Sequence, residues 1–264
     1  MKVIDFHTHI YPDKISLKAV KSVGDFYNIE MSGGDGTSKC LIDQGKQAGI
    51  DNFVVHSVAV DGNHVETINN YIASECNNHS EFYGFGTMHA EYRNKLQEID
   101  RICELGLRGV KIHPDTQLFN MDDERMFEVY DYLGEKNMPL LIHCGDYRYT
   151  FSHPERLCNI LDRFPKLTVV GAHFGGWSVW DLAVEYLKDK NCYLDTSSSF
   201  AMIGLKRAKE LIRIYGAERM VFGTDYPMWN AGNEFNNFMK IGLRDKENEL
   251  ILYKNALRLL GEIN

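Results

Sequence analysis

The 264 residues include only six cysteines, at positions 40, 76, 103, 144, 158 and 192, and no two form a CxxC pair. That scatter excludes a disulfide framework and a cysteine-based zinc module, and it reads as free thiols in a reducing cytoplasm. No apolar run is long enough to span a bilayer, and MKVIDFHTHIYP lacks the apolar stretch and cleavage site of a secretory leader, so the expected location is cytoplasmic. No Lys/Arg cluster stands out against a net charge of −8, from 37 acidic and 29 basic residues, which argues against nucleic-acid and anionic-membrane partners. No GxGxxG follows the first apolar run, so a dinucleotide fold is disfavoured.

What is present is ordinary globular composition, 44% hydrophobic and 25% charged, arranged in alternation. Eight short runs rich in β-branched and aromatic residues read as strands: 2–7, 52–58, 81–88, 108–113, 138–144, 167–173, 192–197 and 219–224. Helical periodicity fills the gaps at 124–137, 154–164, 179–190 and 205–216, and the tail 245–264 reads as an amphipathic helix. Strict alternation implies parallel strands with right-handed crossovers. Eight units on this length, close to the ~250 residues usual for a TIM barrel, predict one (β/α)8 domain over 1–264. The irregular stretch 24–40, in the long loop after strand one, is expected at the catalytic end, over the site.

In IDFHTHI (4–10), period-two alternation places Asp5, His7 and His9 on one face and Ile4, Phe6 and Thr8 on the other. Imidazoles on a buried strand are costly unless satisfied, and a metal ion satisfies them economically. The remaining polar residues sort onto strand ends, where a (β/α)8 enzyme carries its chemistry. His113 ends strand four, His143 strand five, His173 strand six and Asp225 strand eight. Barrel closure sets strand eight beside strand one, so Asp225 approaches His7 and His9. Imidazoles with one carboxylate suit a single divalent first-row metal at the C-terminal face, Zn²⁺ by preference, with Mn²⁺ or Fe²⁺ as alternatives.

Five segments in order, DFHTHI (5–10), GVKIHP (109–114), LIHCGD (141–146), VGAHFGG (170–176) and FGTDYP (222–227), resemble the amidohydrolase superfamily. The resemblance is to its amidohydrolase-2 branch, typified by aminocarboxymuconate-semialdehyde decarboxylase. It implies metal ligands at His7, His9, His143 and Asp225, with His173 off the metal handling protons. Asp225 serves catalysis as well as binding. In bimetallic relatives the sixth-strand histidine is a ligand and a strand-four lysine is carboxylated; Lys111 stands in that place, but a single ion is the expectation. The implied reaction is hydrolysis of a small amide, ester or lactone by metal-activated water. Non-oxidative decarboxylation or hydration of a small unsaturated acid on the same site is the alternative, and a metal-dependent phosphoesterase is a more distant one.

Substrate contacts are expected from His113, Arg148, Trp177, Tyr226 and Lys111, Arg148 being suited to hold a carboxylate in bidentate fashion. Asp5 is expected to orient a ligand histidine. His56 and His89, near the ends of strands two and three, carry no motif and read as pocket lining or structure. The partner is a small molecule, and a homodimer is compatible with the chain.

Overall fold

A computed structural model describes residues 2–263. Eight strands, β1 (Ile4–His9), β2 (Asn52–His56), β3 (Phe82–Thr87), β4 (Gly109–Ile112), β5 (Leu140–Ile142), β6 (Val169–Gly171), β7 (Tyr193–Asp195) and β8 (Met220–Val221), form one sheet in sequence order. Every neighbouring pair is parallel. The segment after β8 returns to β1 through Phe6 N–H to Phe222 O (2.8 Å), Asp225 N–H to His7 O (2.8 Å) and His9 N–H to Tyr226 O (2.7 Å). The barrel therefore closes, with helices alternating around it. No helix among the described residues is long and apolar enough to cross a membrane.

All eight expected strands are present; β1 keeps its expected length but lies two residues further on, and the other seven are shorter than their apolar runs. β8 shows why: Phe222–Asp225 stay apolar or small but leave the ladder, and Asp225 adopts φ 62°. The helix expected at 205–216 begins at Phe200 and is interrupted by Gly204 at φ 71° and ψ 161°. The tail is helical in three segments, its middle turn Leu250–Lys254 being a π-helix. The loop after β1 is more regular than its composition implies. A helix, Ser16–Tyr27, precedes an irregular stretch, and Thr37 then caps the helix Ser38–Ala48 by accepting from Cys40 N–H. The irregular stretch is pinned to the β8 end by Gly33 N–H to Pro227 O (3.0 Å). A Cβ on Gly33 would fall 2.5 Å from the Pro227 and Trp229 carbonyl oxygens, so only glycine fits.

The lower half of the barrel is filled by Ile4, Phe6, Val54, Phe85, Leu141, Val170 and Val221, and Ala256, Leu259 and Leu260 of the tail pack against this layer. Phe6 meets Phe85 edge to face at 5.6 Å. This corrects the alternation expected for β1. Asp5 pairs with Phe53 and Thr8 with Val55, so three steps along β1 match two along β2. One extra residue, a β-bulge, changes the parity. Phe6 thus joins the apolar layer, while His7 and His9 also face inward above it.

Asp5 moves to the seam and touches no imidazole. Its carboxyl accepts from Thr224 N–H (3.0 Å) and His7 N–H (3.2 Å) and lies 2.6 Å from Thr224 Oγ1. Truncating the inner layer away from the site isolates its weight. Phe85→Ala is expected to lower unfolding free energy by about 3–5 kcal/mol, read from urea transitions. A loss below about 1 kcal/mol would contradict the closed, filled barrel base.

Candidate active site

The C-terminal ends of the strands bring a cluster of buried polar groups together. β1 supplies His7 and His9, β2 His56, and β4 Lys111 with His113 one residue beyond. His143, His173, Asp195 and Asp225 come from β5 to β8 and their ends. His7 Nε2 lies 3.3 Å from His9 Nε2 and 3.3 Å from Asp225 Oδ1, which is 3.4 Å from His9 Nε2. Lys111 Nζ stands 3.2 Å from the same His7 nitrogen. Among the described residues, ligand atoms converge in three groups: His7–His9–His56, His7–His173–Asp225 and His113–Asp115–His143.

Two carboxylates organise the cluster. Asp195 Oδ2 is 2.7 Å from His7 Nδ1, and Oδ1 accepts from the backbone N–H of His173 and of Ser197, both at 2.9 Å. Burial alone would raise the Asp195 carboxyl; His7 and His173, with the Ser197 hydroxyl, reverse this and hold it below its usual range. Asp225 behaves alike, burial being outweighed by His7, His9 and His173. Its Oδ2 accepts from Ser198 Oγ (2.5 Å), which in turn accepts from the Trp229 indole N–H at 2.8 Å. Asp195 was missed in the sequence; the available signal was a carboxylate in the hydroxyl-rich LDTSSS at the end of a strand.

The imidazoles are neutral. Burial, aided by the Lys111 charge, lowers His7 to about 4. Burial also lowers His9 and His173, and it takes His56, His113 and His143 well below the usual range. Lys111 falls to about 8 by burial, against the pull of Asp195 and Asp225. With Asp195 accepting the Nδ1–H of His7, its Nε2 keeps a lone pair that faces His9 and Asp225. Closely spaced lone pairs beside an ionised carboxylate are the donor set of a divalent cation.

The four residues expected as ligands are not gathered in one group. His7, His9 and Asp225 meet. His143 instead points Nδ1 at His173 Nε2 (3.0 Å) and Nε2 at Gly145 O (2.8 Å), with its ring stacked on His113 at 3.8 Å. His173 joins the two halves, its Nδ1 lying 2.8 Å from Ser197 Oγ.

A cavity of about 590 Å³ opens above the cluster. Its floor is His7, His9, His113, His143, His173 and Asp225, and its walls are largely apolar, including Ile15, Val23, Phe26, Ile68 and Met228. Tyr27, at the end of the Ser16–Tyr27 helix, overhangs the floor with its hydroxyl 2.7 Å from His113 Nε2. The loop after β1 thus covers the site as expected.

Three expected substrate contacts lie behind these walls. Arg148 holds Asp146 through Nε (2.9 Å) and Nη2 (2.6 Å), and its Nη1 donates to Phe26 O (2.6 Å). Its guanidinium therefore buttresses the Phe26–Tyr27 wall rather than offering an open fork to a carboxylate. Trp177 packs behind the Tyr27 ring at 5.0 Å, and buried Tyr226 donates to Thr37 O (3.0 Å). Proximity to a strand end did not tell them apart from side chains that face the cavity. Lys111 lies beneath the floor, and His113 is part of it.

The family model described as Amidohydrolase matches residues 4–261. The chain belongs to the amidohydrolase family. A curated relative of this amidohydrolase, Decarboxylase orsB of Emericella nidulans, is 24% identical over 190 residues, 61% of this chain and 54% of that protein. The chain thus spans about half the length of the curated relative it matches. Among solved structures it is similar to a dihydroxybenzoic acid decarboxylase from Polaromonas sp. JS666 with bound manganese and the inhibitor 2-nitroresorcinol. There the TM-score is 0.77 and the identity 17%, over 98% of this chain and 97% of that one. A probable 2-pyrone-4,6-dicarboxylic acid hydrolase from Acinetobacter baumannii gives 0.70 and 16%, over 99% and 100%. At these identities the structures bear on the fold.

The buried titration has a stability consequence. His7 binds its proton at about 4 when folded and at 6.5 when unfolded, so between those values unfolding takes up a proton and stability falls with pH. The other five lowered histidines act in the same direction. Asp5, raised to about 8, and Asp115 and Glu234, each raised to about 7, oppose them by holding protons in the folded state. With His89, which burial also lowers, seven groups stand against three and leave a net uptake. In chelator, the urea midpoint is expected to fall as pH is lowered from 6.5 to 4, and a flat or rising midpoint would contradict neutral burial of the imidazoles.

Proposed function

We propose that this amidohydrolase removes the carboxyl group of a small acid with an apolar body, without an oxidant. The observation that carries this is the contrast between largely apolar cavity walls and a floor where the imidazoles and Asp225 gather. As CO₂ leaves a carboxylate set on that floor, the bonding pair and its negative charge pass to the vacated carbon, a proton then neutralises it, and both products are at ease against apolar walls. The names of the similar decarboxylases support the reading.

The residues fit a divalent cation: His7, His9 and Asp225 would hold it, with His143 as the fourth ligand inferred from the sequence. When bound, such a cation supplies Lewis acidity toward a carboxylate or carbonyl oxygen. Zn²⁺ is the ion favoured by the imidazoles, and the manganese in the Polaromonas structure keeps Mn²⁺ in view.

The chain's own residues do the rest. The Lys111 ammonium beneath the floor offsets negative charge. Asp195 fixes the tautomer of His7. His173 would take up a proton as the acid binds and pass it to the carbon that loses the carboxyl. It regains a proton along the chain of contacts through His143 on one nitrogen and Ser197 on the other. Tyr27 and the Phe26 wall held by Arg148 keep water away.

Hydrolysis is the second reading, favoured by the same His143–His173 pair, which can equally protonate a leaving oxygen or nitrogen while Asp225 accepts a proton from water. A panel of hydroxybenzoic acids, unsaturated acids and lactones in D₂O separates the two. Decarboxylation is expected to release CO₂ and leave one deuterium at the vacated carbon. His173→Asn is expected to lower kcat by roughly 10²–10⁴-fold with metal content unchanged. Lactone opening without CO₂ release from any acid would overturn the leading reading in favour of the second.

A further inference from the structure

His56 is a site histidine that the scheme above leaves without work. It is completely buried, and neither ring nitrogen has a hydrogen-bond partner. Leaving such a group unsatisfied is destabilising, and a native structure keeps few of them. Its surroundings are specific. The ring stands edge-on to His9 at 4.4 Å and to His7 at 5.1 Å. One nitrogen lies within 4.8 Å of a ligand atom of each.

The placement follows from the strand register. After the bulge in β1, His9 pairs directly with His56 of β2. The shift that turns the first two imidazoles inward therefore sets the third beside them.

We propose that His56 is a further ligand, contributed by β2, to the cation held by His7 and His9. With His143 counted, four imidazoles then face the ion, and the site selects Zn²⁺ over Mn²⁺, since imidazole donors favour zinc whereas oxygen donors favour manganese. The inference rests on the metal-dependent reading above and adds a ligand and a preference to it.

Competition against a chromophoric chelator, with Zn²⁺ and Mn²⁺ titrated separately, tests this on wild type, His56→Leu and His56→Asn. Loss of the β2 imidazole is expected to weaken Zn²⁺ binding at least about tenfold and to move Mn²⁺ binding less than threefold. The Co²⁺-loaded protein should change its visible absorption on His56→Leu, reporting an altered donor set. In chelator, His56→Leu should melt no lower than wild type, because it removes two unpaired nitrogens; if it does not fold, His56→Asn carries the comparison.

Zinc affinity within threefold of wild type in a folded variant would overturn His56 as a ligand while leaving the cation site standing. Equal weakening for both ions would overturn the selectivity and keep the ligand. Failure of wild type to take up either ion overturns the metal-dependent reading, and this inference with it.

Discussion

A single inserted residue in the first strand governs the site. With strict pairing, β1 could face either Phe6 or His7 into the barrel, because successive side chains alternate. The extra residue between Asp5 and Thr8 allows both. Phe6 closes the apolar base against Phe85, and His7 and His9 rise above it as the floor of the cavity. The same stretch of β1 forms the seam, its backbone bonded to the residues after β8 and its Asp5 carboxyl fixed to Thr224. Barrel closure and the meeting of His7, His9 and Asp225 are thus one event.

Charge is arranged around that floor with economy. Six neutral imidazoles supply lone pairs, while Asp195 and Asp225 supply negative charge that the protein offsets only with Lys111. Asp195 is the organiser, since it touches His7, the backbone of His173 and Ser197 at once. Removing one partner from such a buried network strands the others. An uncompensated carboxylate beside facing lone pairs is the electrostatic description of a cation site, and the apolar walls above strengthen every interaction made there.

Much of the fold was legible because alternation of strand and helix is a strong periodic signal. The histidines at 7, 9, 113, 143 and 173 were legible because each ends an apolar run. The bulge was not, since a change of parity leaves no mark in composition. Asp5 was consequently given a role that Asp195 fills from β7, two strands away across the seam. His56 stood at a strand end like the others but in no motif, and only the β1–β2 register reveals its neighbours. Arg148, Trp177 and Tyr226 show the converse: they follow strand ends yet pack behind the wall, a distinction that depends on side-chain direction.

The family relationship fits a barrel whose chemistry lies at the strand ends, and the apolar cavity walls are the ground for proposing a small substrate with an apolar body. The central claim is that the ends of β1 and β8 hold one divalent cation. Diffraction at the zinc absorption edge from crystals of zinc-loaded protein tests it most directly. The account predicts an anomalous peak about 2.0–2.2 Å from His7, His9 and Asp225. No peak among those three residues, or a peak bound only by His113, Asp115 and His143, would contradict it.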